Sequence, residues 1–268
     1  MLRTLARARN FTAVAAALVA AFVCAAPTAG WPAAGSADPQ VAVYPPNANP
    51  YGRSLGEWTA SWWQWAISMP ITANPLMETG DCATGQAGPV WFLGGSFVNA
   101  ITTRECTVPA GRAILLPVLN SECSTVEPDP FHGENEAELR ACAASFMDAT
   151  SGMFATIDGQ PVQNLANYRT QSPLFDFSAP NNNVLFVPGP VSGQSVSDGV
   201  WVFLPPLSAG HHTIHFGGVL IIFGNLTLDV TYNITVQPGG RGRGHVAGGG
   251  GQPMIESTTW GLLKSIYR

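Results

Sequence analysis

Charge is what this chain has least of. Charged residues make up 11% of its 268 positions, against roughly 25% in an ordinary globular domain. Lysine is almost missing. Of 12 basic residues, Lys264 is the single Lys and the rest are Arg. A surface that grips nucleic-acid phosphates needs clustered Lys and Arg, so that class of partner is excluded. A Schiff-base or phosphate-loop lysine is excluded everywhere but position 264. Catalytic fingerprints are also missing. There is no G-x-S-x-G, no H-E-x-x-H and no Gly-rich loop ahead of a Lys. No C-x-x-C pair is present, and nothing in the pattern calls for a cofactor. After the first 25 residues no apolar run reaches 18, and a spanning helix needs about 20.

What is abundant is apolar. Hydrophobic residues are 46% and aromatics 10%, enough to bury a core. The 29 Gly and 22 Pro favour turns and short strands over long helices. The length allows one large domain or two small ones.

Residues 1–25 read as an export signal. Arg3, Arg7 and Arg9 precede the apolar run Phe11 to Val23, and Val23-Cys24-Ala25 offers a cut before Ala26. The run is too short for an anchor. The residues before Cys24 do not suit lipidation. Cleavage leaves 9 bases against 17 acids and a soluble, periplasmic or secreted chain. It also leaves four cysteines, Cys82, Cys106, Cys123 and Cys142. An even count in an exported chain reads as two disulfides. Three pairings are open. The expectation is the sequential one, Cys82–Cys106 and Cys123–Cys142.

Residues 26–50 are rich in Ala, Pro and Asn and read as a flexible leader. A domain over 51–237 follows. Ser54-Leu55-Gly56-Glu57 is a capping box. Leu55, Trp58, Trp62, Trp65 and Met69 then recur at helical spacing, Pro70 stops the helix, and Trp63 falls off the stripe. A second helix is expected at about 135–151. Its start is marked by Glu134, Glu136 and Glu138, its stripe is Leu139, Cys142, Phe146 and Met147, and Gly152 can close it. Strands are expected at 90–92, 113–118, 154–157, 200–204 and 211–216. Asp158-Gly159 and Asp198-Gly199 read as hairpin signals. From Leu226 to Val236 apolar and polar residues alternate without a break, as in a half-buried strand. The fold class is therefore mainly β: an antiparallel β-sandwich, jelly-roll or Ig-like, with two peripheral α-helices and disulfide bracing. Residues 238–253 read as a Gly-rich linker. Residues 254–268 form an amphipathic tail that is either disordered or docks on something.

Several stretches are distinctive: Gly56-Glu-Trp-Thr-Ala-Ser-Trp-Trp-Gln-Trp-Ala, Gly88-Pro-Val-Trp-Phe-Leu, Cys106-Thr-Val-Pro-Ala-Gly and Gly210-His-His-Thr-Ile-His-Phe-Gly-Gly. Over about residues 50–237 the chain resembles a family of exported bacterial proteins of unknown function. The resemblance implies an exported address and no chemistry. The tail Thr259 to Arg268 is similar to the ends of other exported bacterial proteins.

Four groups of residues can carry chemistry. Trp63, with Glu57 and Gln64 beside it, can form an aromatic platform for a sugar ring; the competing reading places the whole Trp cluster in the core. His211 and His215 share a strand face but stand about 13 Å apart, too far for one metal, so a metal site must recruit His132 or an acid. Glu122, Glu127, Asp129, Glu134, Glu136 and Glu138 lie close in sequence around His132, but without a calcium-loop pattern. Glu57, Asp81, Glu105 and Glu122 lie near aromatic segments where burial can raise a carboxyl pKa. The expectation is a non-catalytic binding or cell-envelope module, its partner a glycan or other envelope component. The alternatives are a polysaccharide hydrolase using acids near the Trp helix and, more weakly, a metal-dependent enzyme.

Overall fold

The computed structural model describes residues 41–78, 80–97, 99–221 and 225–238. The expected export signal 1–25, the leader up to residue 40 and the tail 254–268 lie outside the described residues. So does the linker 238–253 apart from Pro238.

Two five-stranded sheets and two helices make up the domain. The first sheet holds β1 (Val90–Phe92), β3 (Ala113–Ser124), β6 (Arg169–Gln171), β7 (Phe175–Ala179) and β8 (Val191–Leu204). The second runs in the order β2 (Ile101–Pro109), β10 (Asn225–Gln237), β9 (Gly210–Ile221), β4 (Thr150–Ile157), β5 (Gln160–Pro161). Neighbours are antiparallel except β1 with β3 and β2 with β10, which pair in parallel.

The layering follows from which faces are apolar. Ile114, Leu116, Val200 and Val202 of the first sheet meet Phe216, Val230, Tyr232 and Ile234 of the second in one core. Leu115, Trp201 and Phe203 point the other way and meet helix α1 (Leu55–Ile67). The first sheet is thus covered on both faces, and β3 is buried almost throughout, with an unbroken apolar run from Ala113 to Leu119. The second sheet is covered on one. Along β10 Val230, Tyr232, Ile234 and Val236 are buried while Asp229, Thr231, Asn233 and Thr235 face outward, as the alternation requires.

Helix α1 begins at the capping box. Ser54 Oγ accepts from the Glu57 amide, and the Ser54 amide donates to the Glu57 carboxylate. Helix α2 (Glu136–Asp148) is capped by Asn135, which accepts from the Glu138 amide. It ends at Asp148, earlier than expected, because Thr150 already pairs with Leu220; Gly152 lies inside β4. The disulfides are Cys82–Cys106 and Cys123–Cys142. The first ties a loop to β2, the second α2 to β3.

Two expectations need correction and one holds. Asp198-Gly199 is no hairpin turn but lies within β8. A Cβ at Gly199 would stand 2.7 Å from Asn120 Cβ and 2.9 Å from the Leu119 carbonyl, so the neighbouring strand demands glycine there. Asp158-Gly159 does turn the chain, both residues at positive φ, as a type I′ turn requires. The end of the leader is docked: the Tyr44 amide donates to the Phe203 carbonyl at 2.8 Å, and its ring meets Phe203 edge-on.

Candidate functional site

The Trp helix is core. Nine of its thirteen residues are buried, and Glu57, Ser61 and Gln64 mark its solvent stripe. Trp63 is 5% exposed, which removes it as a surface platform for a sugar ring. It is buried in the core cluster around α1, where its ring meets Trp62 edge-on. Glu57 is occupied in the capping box, whose hydrogen bonds from Ser54 hold its carboxyl below the usual range. Gln64 donates to the Asp176 carbonyl at 2.9 Å. Both lie on the exposed stripe, so the three expected site residues do not converge.

The acids do not converge either. Glu105 accepts from Asn233 on the outer face of the second sheet, and Asp81 accepts from the Ala83 amide in a loop. Glu122 is buried in β3, where Ser195 Oγ donates to it. Around His132 the acidic cluster disperses. Glu127 accepts from Ser124, Glu136 pairs with Arg140, and Glu138 accepts from the Glu134 amide and the Asn135 side chain. His132 donates from one nitrogen to Glu134 and from the other to the Glu127 carbonyl; the Glu134 hydrogen bond leads in raising its pKa. Among the described residues no three His, Cys, Asp or Glu side chains gather as a metal site would need. His211 meets Thr235, and His215 meets Asp229 at 2.8 Å, both on the polar outer sheet face.

One constellation looks catalytic. His212 Nδ1 lies 2.7 Å from Asp158 Oδ2, and His212 Nε2 lies 3.3 Å from Ser208 Oγ. This has the order of a Ser-His-Asp triad. Yet Nε2 stands closer, at 3.0 Å, to the Ser208 carbonyl, which can only accept. With a carboxylate at one nitrogen and a carbonyl at the other, both nitrogens must donate. Burial alone would lower the His212 pKa, but the hydrogen bonds to Asp158 and Ser208, with the Asp158 charge, outweigh it and raise it. A protonated imidazole cannot take the serine proton. The group clamps the β4–β5 turn to the loop before β9, as an ion pair when His212 is protonated. The sequence offered no sign of it, because Asp158 and His212 are 54 residues apart.

What remains is a cleft. Its enclosed volume is small, about 70 Å³, and comes to about 590 Å³ only when the open solvent in front of it is counted. Trp62 and Trp63 of α1 form one wall, Pro117, Leu119 and Asn120 of β3 another. Leu220, Leu226 and Leu228 close it from β9 and β10, with Leu76 and Phe97 from loops. Two side chains in this lining carry polar groups, Trp63 and Asn120. The Trp63 indole N–H is buried without an acceptor and is closed off from the cleft, and the Asn120 side chain is half-buried in the β3 wall. The local sequence explains the opening. A Cβ at Gly217 would meet the Leu228 carbonyl at 2.0 Å, so β9 must carry glycine to lie this close to β10.

No family model matches this chain, and no curated protein matches it. A solved structure titled the solution structure of amebosin is similar at 9% identity, over 51% of this chain and 91% of that one, with a TM-score of 0.13. That value is too low to support any inference.

Proposed function

We propose that the chain is an exported, non-catalytic binding module of the bacterial envelope, and that the cleft over Trp62 and Trp63 is its binding site. The carrying observation is an open cleft lined almost wholly by apolar side chains, with Asn120 as a half-buried polar side chain in its wall. An apolar wall with one or two polar points suits an acyl chain better than a hydroxyl-covered sugar. The envelope component is therefore proposed to be apolar with a neutral polar end, in place of a glycan. Two disulfides fit an oxidising compartment. Among the described residues no helix is long and apolar enough to cross a membrane.

Calorimetric titration of residues 26–268 with a monoacylglycerol and with a panel of envelope oligosaccharides tests this. Saturable heat with the acylglycerol, weakened by Asn120→Leu, is expected. Binding of an oligosaccharide alone, or of neither, would overturn the reading.

A further inference from the structure

The cleft has a candidate occupant within the chain itself. From residue 41 to residue 238 fifteen acids stand against five Arg, a formal charge of −10. Residues 239–268 hold Arg241, Arg243, Lys264 and Arg268 against Glu256, a charge of +3, of which +1 lies within 256–268. Within this segment Trp260, Leu263 and Tyr267 recur at spacings of 3 and 4, with Leu262 and Ile266 beside them. An anionic amphiphile would meet the field of the body as a like charge. This segment meets it as the opposite one.

The reach fits. The described chain leaves β10 at Gln237, while Leu226 and Leu228 line the cleft near the start of the same strand. At roughly 3.3 Å per residue, those ten or so residues span about 30–35 Å. A Gly-rich tether of some twenty residues has a root-mean-square length of about 25 Å and a fully extended reach of about 70 Å. Effective concentration is greatest when tether length and span are comparable, so even a weak apolar contact would be well populated in cis.

We infer that residues 256–268 dock in cis on the Trp62–Trp63 cleft, with Trp260 as the apolar anchor. This rests on the binding reading given above for the same cleft.

Trypsin cleavage after Lys264 tests it. The protein is the chain 26–268 with Arg241→Gln and Arg243→Gln, which keeps the tether whole. The reference is a synthetic peptide of residues 254–268. Cleavage about ten-fold slower in the protein than in the peptide is expected, the same across a hundred-fold range of protein concentration, as intramolecular docking demands. Trp260→Ser and, separately, Leu228→Asn should restore the peptide rate, with melting curves confirming that both variants fold. Cleavage at the peptide rate in the parent overturns the inference. So does protection that grows with concentration, which would place the tail on a second copy. Protection untouched by Leu228→Asn places the tail elsewhere and overturns it too. Acylglycerol binding by Trp260→Ser separates the two readings. Binding with an unprotected Lys264 in the parent leaves the cleft reading standing without the tail. Protection without binding leaves the tail standing without the ligand.

Discussion

The indole N–H of Trp62 donates to the Leu93 carbonyl at 2.8 Å, while its neighbour Trp63 carries the same group with no acceptor. Both rings are buried and meet edge-to-face at 5.1 Å. One residue of sequence separates a satisfied donor from an unsatisfied one. Trp62→Phe removes a buried hydrogen bond, orphans a carbonyl and opens a cavity, for a loss of about 3 kcal/mol. Trp63→Phe removes a donor that had no partner, so its cost is confined to lost packing, about 1 kcal/mol. Urea unfolding of the two variants checks the order. Equal losses would contradict it.

Arg169 grips the buried Asp198 through two parallel hydrogen bonds of 3.1 and 3.0 Å and also reaches Asp148 at the end of α2. Asp198 is 2% exposed. Arg169→Met leaves that carboxylate without its counter-charge. The expected loss is about 3 kcal/mol, the lower end for a broken buried pair because the guanidinium is partly in water. Adding Asp198→Asn should recover part of it. A double-mutant cycle checks the coupling.

His212 supplies a pH dependence. Its folded pKa is raised, so its stabilisation is complete where the unfolded imidazole is also protonated, below about 6.5, and is lost as the pH rises through the folded value. The melting-temperature gap between the parent and His212→Gln should be wide near pH ~5 and narrow by pH ~8. A gap that widens with pH would mean the imidazole is neutral, and would reopen Ser208 as a nucleophile.

Reduction should loosen the domain in two places. Each disulfide closes a loop of about twenty residues and contributes roughly 3 kcal/mol by chain entropy. Losing one lowers the melting temperature by about 10 °C for a chain of this size. Cys82→Ser/Cys106→Ser and Cys123→Ser/Cys142→Ser, scanned separately, check the two contributions.

Much of the fold was legible because the sequence repeats it locally. The capping box, the alternation from Leu226 to Val236 and the Asp158-Gly159 turn each state one element in a few residues. The strand β2 was missed because Thr102 and Arg104 occupy inward positions that look polar; Arg104 is buried against the Pro75 and Leu76 carbonyls and the Tyr232 hydroxyl. Trp63 was misread because a stripe predicts one buried face, while α1 is covered nearly all round. The cleft was not legible at all. It is made where α1, β3, β9 and β10 meet, and no short stretch of chain contains it.

Burial of the Trp helix has an optical consequence. All six Trp of the described residues, at positions 58, 62, 63, 65, 91 and 201, are at most 6% exposed. The other two of the eight are Trp31 and Trp260. In the folded protein, emission that acrylamide quenches must therefore come from those two. With Trp31→Phe in place, the quenchable fraction becomes a direct gauge of how often Trp260 meets water.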